Sequence, residues 1–393
     1  MRVLQLCHKP PFPPVDGGCL AMAAVTKGLI EQGADLWIYS ISTPKHPFNN
    51  SAFPKEIQSK SFSFFIDTNL NFNDAIRALL NNKSYNIVRF YNANLSQQLI
   101  TLILKEKIDI VHIDGLFAMP YANDIKAKTN AKIIYRSHNI EHHLWEQKAQ
   151  HEKNPFRKKY LQILAKQLKQ FELKSFSLAD GIISISSSDS NFIKQSGVKT
   201  KLITVLVGIK KKEFQENSSN TIYHIGAMDW QPNVEGINWF LENVWPLVLD
   251  KKTTAELHLA GRNMQKEKYK NHKNVIVYGE VESSEKFAAD KGIMIIPVHE
   301  GSGIRIKLAE AMMMSKAIVS TSIGASGIEN LSSNEILIVD DSKEFANQII
   351  NLIENANLKN HLRKQAHHFA LQHFEQETCS KKIIDFYTEM LKK

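Results

Sequence analysis

Short apolar runs alternate with helical stripes along almost the whole chain. RVLQLC (2–7), ADLWIYSI (34–41), IDIVHID (108–114), AKIIYRS (131–137), DGIISIS (180–186) and KLITVLV (201–207) read as strands. After the first of them, CLAMAAVTKGLIEQG (19–33) reads as a helix with Gly33 as its C-terminal cap. The pattern then restarts. NTIYHIGAM (220–228), TAELHLAGR (254–262), VIVYGEV (275–281), GIMIIPV (292–298), KAIVSTS (316–322) and EILIVDD (335–341) form a second set, again with helices between. Strands separated by helices make parallel sheets, so the expectation is an α/β chain of two Rossmann-like halves. A polar stretch without strand character, KKKEFQENSSN (210–220), divides them. This gives domains at 1–210 and 211–375, followed by an amphipathic helix within 376–393.

Composition narrows the class. At 393 residues the chain exceeds one ordinary core. The cysteines, Cys7, Cys19 and Cys379, make no C-x-x-C pair, which argues for a reducing compartment and against a disulfide scaffold or cysteine zinc ribbon. No apolar stretch approaches a membrane span, and the N-terminal apolar run is too short for a signal peptide, so the chain reads as cytoplasmic. A net charge of +9 suits an anionic partner. That charge alone does not choose among nucleic acid, an anionic membrane face and a phosphorylated substrate.

Open parallel sheets bind ligands outside the carboxyl ends of their strands. Those ends carry Gly17-Gly18, His112 and Asp114, His138 and Asn139, and Glu300-Gly-Ser-Gly303. His138-Asn-Ile-Glu141-His142 also matches the H-x-x-E-H zinc pattern, which needs both histidines on one helix face. Because His138 directly follows a strand, a metal site, a sugar-cleft residue and a plain polar loop all remain open from the residues alone. The stretch PVHEGSGIRIKLAEAMMMSKAIVSTSIGASG (297–327) is more informative. Gly301, Ser302 and Gly303 form a small-residue loop ahead of a helix, whose N-terminus offers free N–H groups to an anion. Arg305 and Lys307 add full positive charge, which makes a diphosphate site. Glu310, further along the same helix, suits a ribose diol. Met312 to Met314 are core residues, and Trp230, Trp239 and Trp245 are expected to anchor the start of the second half.

These residues carry a resemblance. GSGIRIKLAEAM (301–312) followed by SKAIVSTSIGASGIE (315–329) resembles the nucleotide-sugar loop of the GT-B glycosyltransferases of the family-4 type. HIGAMDWQPNVEGINWFLENVWP (224–246) is similar to the opening of their C-terminal domain, and HKPPFPPVDGG (8–18) and SHNIEHHLW (137–145) to their N-terminal glycine loop and sugar-facing strand end. The resemblance implies a GT-B fold, two Rossmann-like domains facing a cleft, with the terminal helix returning to the first domain. It implies a retaining glycosyltransferase that uses a nucleotide-diphosphate sugar without a cofactor or required metal. The acceptor would be a glycan, a lipid-linked or another glycoconjugate acceptor, in bacterial surface polysaccharide synthesis. No nucleic acid is implied. Catalytic roles fall to His138, Arg305 and Lys307, and donor binding to Gly17, Gly18, Gly226, Asn233, Ser302, Gly303 and Glu310. His112, Asp114, Asn139 and Glu141 fall on the acceptor side.

Two departures stand out. Ser302 occupies the place of the first glutamate of the family's E-x7-E pattern, and Glu300 lies two residues too early. Ala227 and Met228 stand where many members have an arginine after Gly226, so Arg305 and Lys307 must supply that charge and Asn233 a contact at a helix start. Two alternatives follow: a nucleotide- or sugar-binding relative without turnover, and a zinc hydrolase built on HNIEH. Finally, FRKKYLQILAKQLKQFELKSF (156–176) has an apolar stripe at Tyr160, Leu164, Leu168 and Phe171, surrounded by Arg157, Lys158, Lys159, Lys166 and Lys169. It reads either as a core helix with a solvated basic face or as a peripheral contact with an anionic inner membrane face.

Overall fold

The computed structural model describes residues 1–301 and 304–392, the Phe72 side chain excepted. Ser302 and Gly303, both expected at the donor, lie outside the described residues. The chain forms two compact units, Met1–Gly208 with Gln376–Lys393, and Ile209–Glu375.

The first unit is built on β1 (Arg2–Cys7), β2 (Asp35–Ser42), β3 (Ser61–Phe65), β4 (Ile110–Asp114), β5 (Lys132–Ser137), β6 (Gly181–Ser184) and β7 (Lys201–Thr204). All pairings are parallel, in the order β3-β2-β1-β4-β5-β6-β7. β4 is buried at every position, because helices cover both faces of a parallel sheet. β3 is the strand that the apolar pattern does not announce. SFSFF sits at the sheet edge, paired to β2, and is half-exposed, so its serine–phenylalanine alternation is too short to read against its polar surroundings.

Helix α1 (Gly17–Glu31) starts at an Asp16 cap whose side chain accepts from Cys19 N–H, and it stops before Gly33, held at φ +75°. Further on come α2 (Glu141–His151) and α3 (Pro155–Leu178). The stripe on α3 is split. Leu164 and Leu168 are core, whereas Phe156 is 86% and Tyr160 40% exposed, next to Arg157, Lys158 and Lys159.

The terminal helix, numbered α7 because three labelled helices of the second unit precede it, spans Gln376–Leu391 and closes one face of the first sheet. A Cβ on Gly28 would fall 1.9 Å from Ser380 Oγ, and one on Gly181 would fall 2.7 Å from the Phe386 ring. The helix therefore seats directly on bare backbone, with Ile383, Phe386, Tyr387 and Met390 buried against Val3, Ile110 and Ile134.

The second unit has β8 (Ile222–Ile225), β9 (Leu257–Ala260), β10 (Val275–Gly279), β11 (Ile293–Ile296), β12 (Ala317–Ser320) and β13 (Leu337–Ile338), in the order β10-β9-β8-β11-β12-β13. Its labelled helices are α4 (Gln231–Asn243), α5 (Ile306–Met313) and α6 (Ala356–His373). The polar stretch 210–220 is strand-free, yet it is bound down within this unit. Buried Arg363 of α6 donates to the carbonyls of Gln215, Asn217 and Ser315, and Lys359 Nζ reaches Ser218 O at 3.1 Å and Ser219 O at 3.0 Å. Two cations on one helix thus satisfy the carbonyls that a strandless segment leaves open.

Candidate functional site

In the first unit the strand order reverses between β1 and β4, the point at which an open α/β sheet leaves a crevice. The ends of β1, β4 and β5 bring His8, Asp114 and His138 together there. Asp114 is fully buried and every one of its polar neighbours is named by the fold. Its Oδ1 lies 2.9 Å from His138 Nε2 and 3.1 Å from Arg136 NH1. Its Oδ2 accepts from Gln5 Nε2 at 2.7 Å, and Gln5 Oε1 in turn accepts from Thr26 at 2.7 Å. His112 Nε2 is 3.3 Å from Oδ2 without hydrogen-bond alignment, while its Nδ1 meets Tyr387 OH of α7. Burial alone would raise the Asp114 carboxyl; His112, His138 and Arg136 around it reverse that and hold it well below the usual range.

An ionised Asp114 fixes the His138 tautomer. Nε2–H donates to the carboxylate, so Nδ1 keeps its lone pair. Burial first, and Arg136 against it, push the imidazole pKa down although Asp114 pulls upward, so His138 is neutral near pH 7. His8 crosses it edge-on at 5.7 Å between ring centroids and donates from Nδ1 to Asp114 O at 2.8 Å. The His8 pKa is pushed down to about 3, by burial first and then by His138 and Lys9. Gly115, at φ +87°, leaves the space that His8 occupies, since a Cβ there would fall 2.5 Å from Nδ1. His8 has no signal of its own in the sequence, because it follows β1 as one polar residue among prolines.

Several expected roles change. His112 and Asp114 are fully buried and cannot touch an acceptor: their side chains share the sheet face that α7 closes, so they work on His138 and Tyr387 instead. Gly17 and Gly18 form the first turn of α1. Lys9 lies across them, paired to Asp16 at 2.7 Å, and a Gly18 Cβ would fall 3.0 Å from its Nζ. Asn139 is half-buried and its carbonyl accepts from Ser137 Oγ at 3.0 Å. Glu141 opens α2, with its carboxyl pushed up to about 7 by burial first and then by Glu172.

The H-x-x-E-H reading fails on geometry. His138 is committed to Asp114 on β4, whereas His142 Nδ1 is committed to Glu172 of α3 at 2.6 Å. The strand ends at Ser137 and the helix begins at Glu141, so the two histidines share no helix face.

In the second unit the reversal falls between β8 and β11, and the expected donor residues gather near it. Gly226 directly follows β8; a Cβ there would fall 2.8 Å from Asn233 Nδ2 and 3.0 Å from His224 Nε2. Asn233, in the first turn of α4, is buried. Its Nδ2 donates to Ala227 O at 2.8 Å and its Oδ1 accepts from Lys307 Nζ at 2.8 Å. Lys307, from α5, also lies 3.5 Å from His224 Nε2. Arg305 is the cap residue of α5, 6% exposed, with its guanidinium 5.2 Å over the Trp230 ring.

Among the described residues the Lys307 ammonium meets neutral partners, Asn233 Oδ1 and His224 Nε2. Burial first, and Arg305 second, pull Lys307 down to about 7, and burial pulls Arg305 down to about 10. Glu310 lies one turn from Lys307, its carboxyl raised by burial with Lys212 opposing and Glu285 adding to the rise. His224 and Trp230 were not expected at this site. His224 reads from the sequence as an ordinary strand residue. Trp230, expected as an anchor, is 37% exposed and carries Arg305, while Trp245 is the true anchor, buried with Nε1 donating to Lys273 O at 2.9 Å.

Each of the two units resembles known proteins. A family model described as Glycosyltransferase Family 4 matches residues 21–209, and one described as Glycosyl transferases group 1 matches residues 219–355. An uncharacterized 44.6 kDa protein in the cps region of Klebsiella pneumoniae is 27% identical over 192 residues, 46% of this chain and 48% of that one. The glycosyltransferase MJ1069 of Methanocaldococcus jannaschii is 28% identical over 238 residues, 55% of this chain and 60% of its own. The match thus spans about half the length of these curated relatives. The crystal structure of Anabaena HepE in complex with UDP superposes with a TM-score of 0.67 at 13% identity, over 99% of this chain and 100% of the other, which shows the fold. Two parallel-sheet units, each matched by its own model, place the chain among the family-4-like glycosyltransferases of the GT-B fold.

Proposed function

We propose that the protein transfers a sugar from a nucleoside-diphosphate sugar to a glycan, lipid-linked or other glycoconjugate acceptor, with retention and without a metal in the reaction. The observation that carries this reading is that half-buried Lys307 and buried Arg305 stand at the start of one helix, with Lys307 held by Asn233 beside the bare backbone of Gly226. Two cations at a helix N-terminus suit a diphosphate. The neighbour HepE is known in complex with UDP, and the Klebsiella relative lies in a cps region, which supports surface polysaccharide synthesis as the setting.

In the reaction the bond from the anomeric carbon to the phosphate oxygen breaks and a bond to the acceptor oxygen forms on the same face. The acceptor proton leaves with the departing diphosphate. Lys307 and Arg305 hold the charge that grows on that leaving group, and low local polarity makes them effective. Neutral His138, presenting Nδ1, contacts the sugar or its phosphate. Glu310 takes the ribose hydroxyls. Exposed Phe156 and Tyr160 beside Arg157, Lys158 and Lys159 support a peripheral contact with an anionic membrane.

The test of the donor assignment is a thermal-shift series with UDP, GDP, ADP, dTDP and CMP. One diphosphate at 100 times its dissociation constant should add about 2.7 kcal/mol of stability. The increment should be the same with and without EDTA, and Arg305→Ala should lose it while nucleoside binding persists. Indifference to every nucleotide would end the proposal.

Lys307 makes the affinity pH-dependent. Its free-state pKa of about 7 means it is charged below pH 7 and must take up a proton to meet the diphosphate above it. Affinity for an intact nucleotide-sugar should therefore fall between pH 7 and pH 9, by up to about tenfold per unit. A flat profile, or the same profile in Lys307→Met, would exclude Lys307 from the phosphate.

Asp114→Asn should lower kcat by roughly 10²-fold or more, the scale of a misassigned imidazole tautomer, with little change in donor affinity. His138→Ala should do the same, and the double variant should be no worse than either. Additive losses would separate the two residues. For the membrane contact, the protein should sediment with anionic vesicles and not with zwitterionic ones, and Phe156→Ser with Lys158→Glu should abolish this; equal sedimentation of the variant would exclude the α3 end.

A further inference from the structure

The first turns of α2 hold a group that the transfer reaction does not use. His142, His143 and Glu146 each offer one ligand atom, and these atoms all lie within 4.8 Å of one another. His142 is fully buried, with its ring centroid 4.5 Å from that of His143. Phe192 packs against both rings, at 5.3 Å and 4.7 Å, and walls the group on one side.

The decisive feature is how His142 is held. Its Nδ1 lies 2.6 Å from Glu172 Oε2, and the same carboxylate accepts from the N–H groups of Glu141 at 2.9 Å and His142 at 3.2 Å. Glu172 is itself fully buried on α3. Nδ1 therefore carries the proton, and Nε2 carries a lone pair. That Nε2 is buried and has no hydrogen-bond partner. Leaving a buried acceptor unmatched costs roughly 1–3 kcal/mol. An imidazole whose far nitrogen donates to a buried carboxylate is also the usual form of a metal-bound histidine, since the carboxylate fixes the ring and raises the basicity of the free nitrogen.

We propose that His142, His143 and Glu146 form a binding site for one divalent cation of the zinc class, with Glu172 as the positioning residue behind His142. Two imidazoles and one carboxylate suit zinc, cobalt or nickel, and not magnesium or calcium, which take oxygen ligands. Bond lengths of about 2.0–2.2 Å require the donors to draw closer than they stand, and His143 and Glu146, both half-buried, are free enough to do so. The fourth position stays open to water. His138 is not a ligand. It lies three residues ahead of α2, so the cation would brace the segment leading out of β5 and take no part in bond breaking.

The test is a titration of tag-free, EDTA-stripped full-length protein with ZnCl2 by calorimetry, and with CoCl2 by visible absorption. Wild-type protein should bind one equivalent of either ion, the cobalt form showing the intense bands of a four-coordinate site, and MgCl2 should bind no more tightly than it does to the variants. His143→Ala and Glu146→Gln should each abolish that equivalent. Glu172→Gln should weaken it by about 10- to 100-fold, and His138→Ala should leave it intact. Absence of a saturable equivalent would overturn the proposal, as would equal binding in wild type and His143→Ala, which would assign the metal to scattered surface histidines. His143 and Glu146 are partly exposed, so their variants should keep the native circular dichroism, and they decide the matter even if Glu172→Gln fails to fold. UDP binding in the same variants should be unchanged, which keeps this result separate from the donor assignment.

Discussion

A fully buried carboxylate is the constraint on which the first unit depends. Asp114 sits at the end of a strand covered on both faces, at the reversal point of the sheet. A lone charge there would cost several kcal/mol, so the surrounding positions must answer it. Arg136 comes from the neighbouring strand β5, Gln5 from β1, and Thr26 from α1 through Gln5. His138 completes the set through Nε2. The network that neutralises Asp114 is thus also the network that chooses which imidazole nitrogen of His138 is free. Stability and the choice of the free nitrogen are the same interaction.

The second unit solves a different problem. There the buried groups near the sheet reversal are cations, and what holds Lys307 is neutral: the Asn233 carbonyl and, at longer range, His224. Neutral partners lower the cost of burying an ammonium only in part, which is why its proton is loosely held. Asn233 ties the 226–230 turn and Lys307 together, and Gly226 is bare so that both Asn233 and His224 can approach. The first unit is closed electrostatically in itself. The second holds Lys307 on neutral partners.

Much of this was legible in the sequence, and the rest was not for identifiable reasons. Strands buried on both faces announce themselves as unbroken apolar runs, so β1, β4, β11 and β12 stand out, while the edge strand β3 does not. His138 draws notice in the sequence because it follows a strand directly, and Arg305 and Lys307 because they follow a glycine loop. The position of a residue at a strand end does not say which way it faces. His112 and Asp114 looked equally suited to an acceptor surface, yet their face of the sheet lies under α7, whose Tyr387 is 275 residues away from His112. Such contacts have no local signature. His224 failed for the opposite reason: one polar residue inside a strand looks like an exposed position, whereas here it is wholly buried beside Lys307.

The pattern H-x-x-E-H shows how a motif can mislead while its region still matters. Its spacing presumes one helix, but the chain changes from strand to helix inside it, between Ser137 and Glu141. The break sends His138 to Asp114 and His142 to Glu172. Each imidazole is thereby fixed in the tautomer set by its own buried carboxylate, with opposite nitrogens left free: Nδ1 on His138 and Nε2 on His142. Two histidines four residues apart in this way present opposite nitrogens, and what separates them is the fold's choice of where a helix may begin.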